Sequence, residues 1–217
     1  MTNLVVLCDF DGTITRVDTV EFVLARLALG DWKIYDEQFE RGEITLEDCM
    51  RRQLSLVRAS ERQILDELGD SLIPRLHFGK LVEYCKNNLI RVIVVSAGLD
   101  FVIDHFLQLN GWQNSVEKYT AKTRFGTNGM ELTFPRLFDE RSVNFKQDLV
   151  RHYKAQRKSV IYVGDGVSDY PAVENADFPF AVKGSKLAKI CEDRGLRCPN
   201  MTDFNVIVEA VRDMCIS

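Results

Sequence analysis

Asp9 and Asp11 stand one residue apart at the end of the apolar run LVVLC, and Gly12 and Thr13 follow at once. Two more acids, Asp165 and Asp169, follow the apolar run SVIYVG, and a third such run, IRVIVV, ends in Ser96-Ala97-Gly98. Four carboxylates at two strand ends would repel one another unless a cation sat among them. A hard divalent ion with oxygen ligands suits such a set, and Mg²⁺ accepts a few carboxylates together with water. A carboxylate so neutralised can attack a phosphoryl centre. Ser96 and the backbone N–H groups of Ala97 and Gly98 can hold phosphate oxygens, and a second acid can protonate the leaving alcohol and then activate water. Each segment alone has a plainer reading. Asp-Gly pairs mark turns, Ser-x-Gly can be a strand-to-helix junction, and Asp165 can cap a helix. The convergence of all three is what favours the chemistry.

Convergence needs a scaffold. Residues 4–8, 90–96, 159–165 and 178–182 read as short, buried, β-branched strands. Helical spacing separates them, at 79–88, 100–109, 142–155, 185–193 and 203–213. Strands apolar on both faces and alternating with helices imply a parallel sheet covered on both sides, a Rossmann-like α/β core. In such sheets ligands bind beyond the carboxyl ends of the strands, which is where the acids fall. Residues 15–78 show no strong strand. TVEFVLARLAL has helical spacing with Gly30 as a stop, Thr45 and Ser60 stand as N-caps, and Gly69 marks another end. The expected organisation is a core of residues 1–14 and 79–217 with an all-helical cap at 15–78. Tyr119–Phe125 and Met130–Phe134 flank GTNG and read as a β-hairpin. Trp32, Tyr35 and Phe39 read as packing within the cap, and Phe22 as a pocket neighbour at its junction.

The 217 residues carry a net charge of −4, and just under half are apolar. Basic residues are scattered, which argues against nucleic acid. No apolar run approaches the ~20 residues of a membrane span, and residues 1–10 lack a signal-peptide pattern. The six cysteines form no C-x-x-C pair and the three histidines no ligand-spaced pair, so zinc is not expected. Reduced thiols in the cytoplasm are. Nothing in the sequence sets an oligomeric state.

DFDGT at Asp9–Thr13, VVSAG at Val94–Gly98 and GDGVSD at Gly164–Asp169 resemble, in this order, three motifs of the haloacid dehalogenase superfamily phosphatases. The third motif of that family is a single lysine. Lys146 in VNFKQDLV fits it by position better than Lys154 or Lys158. The resemblance implies that Asp9 is the nucleophile that becomes an aspartyl-phosphate, and that Asp11 is the general acid and base with its carbonyl on Mg²⁺. It implies that Thr13 and Ser96 contact the phosphoryl group and that Lys146 neutralises charge. Asp165 would bind Mg²⁺ directly, and Asp169 directly or through water. An acid two residues after the nucleophile favours phosphate-ester hydrolysis over dehalogenation.

The helical insert resembles the cap of the phosphoserine-phosphatase branch. That branch has a Glu where this chain has Asp18. It also has a carboxylate-binding Arg where this chain has Gln53, with Arg52 one residue off, and Gln cannot replace a bidentate Arg–carboxylate pair. DFDGTIT with Asp18, DWKIYDEQFERGEIT, VSAGLDFVI and MTDFNVIVEAV are more similar to the MtnX-like group, the methionine-salvage phosphatases of 2-hydroxy-3-keto-5-methylthiopentenyl-1-phosphate. The cysteine-rich stretch associated with that group between the second and third motifs is missing. The expectation is therefore a Mg²⁺-dependent phosphatase of a small phosphomonoester, with Asp18 and Gln53 facing the leaving group. Phosphoserine, another small phosphoester, or phosphoryl transfer to a second acceptor are the alternatives. A receiver-like phosphate-binding module gathers similar residues at strand ends, but it does not resemble DFDGT and has no cap of this size.

Overall fold

The first apolar run forms β1 (Leu4–Cys8), all of it buried, at the centre of a six-stranded sheet in the computed structural model, which describes residues 3–127 and 129–216. A wide turn at Phe10–Ile14 leads to four helices, α1 (Thr19–Leu27), α2 (Lys33–Glu40), α3 (Leu46–Ser55) and α4 (Glu61–Leu68). The chain returns through α5 (Phe78–Asn87) to β2 (Arg91–Ser96), α6 (Asp100–Leu109) and β3 (Glu117–Thr120). The antiparallel pair β4 (Lys122–Gly126) and β5 (Gly129–Thr133) follows, then α7 (Phe145–Ala155) and β6 (Ser159–Gly164). Next come α8 (Tyr170–Asn175), β7 (Phe178–Val182), α9 (Lys186–Asp193), β8 (Asn200–Met201) and α10 (Asn205–Ile216).

The sheet runs β3-β2-β1-β6-β7-β8 and every pairing in it is parallel. The strand order reverses at β1, whose neighbours are β2 and β6. A crevice therefore opens beyond the carboxyl ends of these three strands, where loops leave in opposite directions. Helix starts are fixed locally. Asp18, Thr45, Ser60, Asn144 and Ser185 each accept a hydrogen bond from a backbone N–H of the first turn, a contact whose loss costs about 1 kcal/mol.

The four helices α1–α4 pack on one another through Val23, Leu24, Met50, Leu54, Ile64 and Leu68, all buried. Their connection to the sheet is narrow: Thr15 and Pro74 form an antiparallel bridge, Arg16 N–H donates to Ile73 O, and Arg75 N–H donates to Ile14 O. Among the described residues, no helix is long and apolar enough to cross a membrane.

Three local features differ from expectation. Helix α1 stops at Leu27, ahead of Gly30, because Ala28 leaves to bridge Val57. The stretch Tyr119–Phe125 divides at buried Ala121: β3 joins the main sheet, whereas β4 pairs with β5 in a separate two-stranded sheet. Asn128 of its GTNG loop lies outside the described residues. That hairpin packs on α3, where Arg51 Nε donates to Leu132 O and a side chain at Gly129 would collide with the Ser55 carbonyl. The short α8 and β8 follow turns whose sequences carry little periodicity.

Candidate active site

β1 ends at Cys8, and Asp9 is held at its tip by an N–H bond to Val163 O of β6. The chain then turns at Asp11 and Gly12. Gly12 adopts a positive φ of 70°, and an added Cβ would lie 2.4 Å from Asp165 Oδ2. Gly98 makes similar room on the β2 side, where a Cβ would lie 2.5 Å from Asp11 Oδ2. These two glycines let the three strand ends approach closely enough for their carboxylates to share one crevice.

Lys146 is the pivot. It sits in the first turn of α7, 2 % exposed, and its ammonium donates to Asp9 Oδ1 and to Asp169 Oδ1, each at 2.8 Å, and to Ser168 Oγ at 3.2 Å. Burial alone would lower the Lys146 pKa, but Asp169 and Asp9 outweigh it and hold the ammonium charged. Lys154 instead pairs with Asp177.

Asp169 is completely buried, and all its acceptor positions are engaged. Oδ1 takes Lys146 and the Tyr162 hydroxyl, and Oδ2 takes the N–H groups of Asp165 and Gly166. Asp165 accepts the Thr13 hydroxyl at 2.8 Å, and burial first, then Asp169, push its carboxyl up to about 6. Asp9 is raised well above the ordinary carboxylate range by burial and by Asp169, against the pull of Lys146. Asp11 is raised by burial, moderated by two hydrogen bonds from Thr19, one from its backbone N–H at 3.0 Å and one from its hydroxyl at 2.5 Å. Ser96 Oγ lies 3.4 Å from Asp11 Oδ2 and accepts the Gly98 N–H at 3.0 Å.

Oxygens of Asp9, Asp165 and Asp169 lie within 4.8 Å of one another. One lysine cannot balance this many acids, so the donor set fits a hard divalent cation. Asp9 and Asp165 keep spare acceptor capacity, whereas Asp169 is saturated by hydrogen bonds.

A cavity of about 310 Å³ opens from this cluster into the α1–α4 region. Its near end is formed by Asp9, Asp11, Ser96, Ala97, Gly98, Lys146 and Asp165, and its far end by Val20, Leu24, Trp32, Phe39, Leu46 and Met50, with Asp18, Glu21, Asp36 and Glu40 among them. Thr13 supports Asp165 and is not part of the wall. Gln53 reaches the cavity, but its amide donates to Asp36 Oδ1 at 2.8 Å. Arg52 points elsewhere, its guanidinium over the Tyr35 ring and bonded to Gln38. Asp18 caps α1 and opens to the cleft. The surrounding walls, and then Asp11, push its carboxyl up to about 8. Trp32 and Phe39 line the cavity and do more than pack the helices, whereas Phe22 lies outside it beneath the Arg26 guanidinium. Trp32 and Phe39 also pack on the buried core, as expected for residues of the helical insert, and Tyr35 does not line the cavity.

Thr19, Tyr162, Ser168 and Arg75 escaped the sequence reading. Ser168 lay inside GDGVSD and so had a signal, but Thr19 read as an ordinary helix start and Tyr162 as core.

Residues 6–174 match the family of haloacid dehalogenase-like hydrolases. The chain belongs to that family. It is 26% identical over 217 residues to the 2-hydroxy-3-keto-5-methylthiopentenyl-1-phosphate phosphatase of Brevibacillus brevis, covering 98% of this chain and 96% of that protein. It is 27% identical to Pdp3-interacting factor 1 of Schizosaccharomyces pombe, over 98% of this chain and 95% of that one. Among solved structures, a substrate-bound phosphoserine phosphatase complex has the same fold, with a TM-score of 0.70 at 16% identity over 97% of this chain and 99% of the other.

Proposed function

We propose that this hydrolase is a Mg²⁺-dependent phosphatase that removes phosphate from a small phosphomonoester through an aspartyl-phosphate on Asp9. The observation that carries the reading is the pinning of Asp9 by Lys146. The ammonium holds Oδ1, which leaves Oδ2 to attack phosphorus. As the Asp9 Oδ2–P bond forms, the bond from phosphorus to the leaving oxygen breaks, and Asp11 gives that oxygen its proton. The raised pKa of Asp11 suits a group that must carry a proton into this step. Asp11 then takes a proton from water as the water oxygen attacks phosphorus, the Asp9 O–P bond breaks, and inorganic phosphate leaves. Ser96 and the Ala97–Gly98 backbone would steady the phosphoryl oxygens, with Lys146 offsetting their charge. Asp9, Asp165 and the Asp11 carbonyl would hold Mg²⁺, which supplies charge neutralisation at the phosphate. Asp169 orients Lys146 and the turn around Asp165.

Residues 15–78 act in this reading as a cap over the cleft. Among the described residues no arginine lines the cavity, and Lys186, which does, is paired with Glu40, so a leaving group bearing a carboxylate finds no free bidentate partner. A wall of Leu24, Trp32, Phe39, Leu46 and Met50 suits an apolar thioether tail, and Asp18, whose carboxyl is pushed up by its surroundings and then by Asp11, offers a polar contact to a keto or hydroxyl oxygen. These features, with the relatives, support 2-hydroxy-3-keto-5-methylthiopentenyl-1-phosphate over phosphoserine as substrate. The six cysteines are free thiols, which supports a cytoplasmic setting.

The test is phosphate release from a panel containing both compounds, with Mg²⁺ and with chelator, against Asp9→Asn as control. Mg²⁺-dependent release of the methylthio compound, lost in Asp9→Asn, is expected. Equal inactivity of wild type and variant across a wide panel would remove the enzymatic reading, and preferred turnover of phosphoserine would overturn the substrate assignment.

A further inference from the structure

Arg75 lies on the segment that returns from the helices to the sheet, immediately after the Thr15–Pro74 bridge. Among the described residues its half-buried guanidinium forms no salt bridge, although the nearby Asp165 charge acts on it. Instead Nε donates to Thr13 O at 2.8 Å and Nη2 to Gly12 O at 2.5 Å, while its own backbone N–H donates to Ile14 O at 2.7 Å. One residue thus holds three consecutive carbonyls of the turn that follows Asp11. We propose that Arg75 is a positioning residue for catalysis, which locks the Asp11-Gly12-Thr13 turn in its working shape and ties that shape to the segment returning from the cap.

The physical argument starts from the peptide plane. A trans peptide points its N–H opposite to its C=O, so fixing the carbonyls of Gly12 and Thr13 also fixes the N–H directions of Thr13 and Ile14. Hydrogen bonds from a charged donor are stronger than neutral ones, and the planar fork reaches two successive oxygens, which an ammonium cannot. Gly12 needs this restraint most. It has the widest conformational freedom in the turn, its φ is positive, and Asp165 rests against it. A peptide rotation there would shift Asp165 and the Thr13 hydroxyl that bonds it. Burial lowers the Arg75 pKa and the Asp165 charge opposes it, while the direct hydrogen-bond partners of the guanidinium are the carbonyls of Gly12 and Thr13.

The inference rests on the phosphatase reading, and its test separates the two. Steady-state kinetics of Arg75→Ala and Arg75→Lys are compared with Asp9→Asn on one substrate, with and without sub-denaturing guanidinium chloride, after folding is checked by circular dichroism. Arg75→Ala is expected to lose about tenfold to a hundredfold in kcat with KM changed by less than about threefold, and added guanidinium should restore part of the loss in that variant alone. Arg75→Lys should keep the fold, retain an intermediate kcat and gain nothing from guanidinium. Wild-type kcat in Arg75→Lys, or a folded Arg75→Ala without guanidinium rescue, would overturn the role of Arg75 while leaving the phosphatase reading intact. Activity in Asp9→Asn equal to wild type would overturn the role of Asp9, and no phosphate release by wild type would overturn the phosphatase reading itself.

Discussion

The two ends of the cavity are built differently. At the sheet end, nearly every polar atom has a partner: Asp169 accepts four hydrogen bonds, Lys146 donates three, and Asp11 is held by Thr19. At the α1–α3 end the walls mix apolar side chains with Asp18, Glu21, Asp36 and Glu40, which make fewer hydrogen bonds than the strand-tip acids, and an exposed Lys186–Glu40 pair at 2.7 Å reaches across from α9. A saturated network fixes geometry for a reaction that is the same for every phosphoester. A loosely partnered, adaptable wall sets which leaving group fits. In the proposed reading, chemistry and selectivity are housed on separate elements, strand tips for one and α1–α3 for the other.

This division can be broken most forcefully at Lys146. Lys146→Met should lower kcat by roughly a hundredfold to a thousandfold by the same factor for every substrate tested, and it should lower thermal stability by leaving Asp9 and Asp169 facing each other. A loss confined to one substrate in the kinetic panel would erase the distinction between the two ends. Trp32→Ala at the other end should raise KM by about tenfold for a substrate with an apolar tail, with kcat and inhibition by inorganic phosphate little changed.

A smaller effect is expected in stability. The surroundings of Asp18, and then Asp11, push its carboxyl up to about 8 from an ordinary 3.8, and solvent on its exposed side screens the effect. Between those values the unfolded chain gives up a proton that the folded chain keeps, so this group makes the fold progressively less stable as pH rises through that window. Asp18→Asn keeps the N-cap and removes the titration. Its melting temperature relative to wild type should rise from about pH 4 to about pH 9, and a difference independent of pH would contradict the assignment. The smallest effect belongs to the exposed bridge: Lys186→Ala should alter kcat or KM by less than about threefold, and roughly 0.5 M salt should abolish the difference. Salt titration of both proteins checks this.

The same division explains what the sequence disclosed. Asp9, Asp11, Ser96 and Asp165 follow apolar strands directly, so strand polarity alone places them together, and Lys146 follows from its spacing to GDGVSD. The cap end depends on rotation of helices about their axes. Gln53 and Arg52 are neighbours in sequence, yet one lines the cavity and the other lies on Tyr35, a difference of about 100° that no spacing rule resolved. Arg75 was equally hidden, because its partners are backbone carbonyls some sixty positions away, and carbonyls leave no mark on residue identity. The split of Tyr119–Phe125 into two strands depends on Ala121 turning out of the main sheet, which β-propensity cannot register.

The central claim is that Asp9 carries the phosphoryl group. In the proposed mechanism Asp11→Asn removes both the acid of the first step and the base of the second, so that variant is incubated with Mg²⁺ and a phosphate ester whose leaving group needs no proton, such as p-nitrophenyl phosphate, quenched in acid and mapped by mass spectrometry of its peptides. The account expects one phosphoryl group on the peptide containing Asp9, absent when Asp9→Asn is added to the same variant. Phosphate release with no phosphorylated peptide at Asp9, or with the group on another residue, would contradict it.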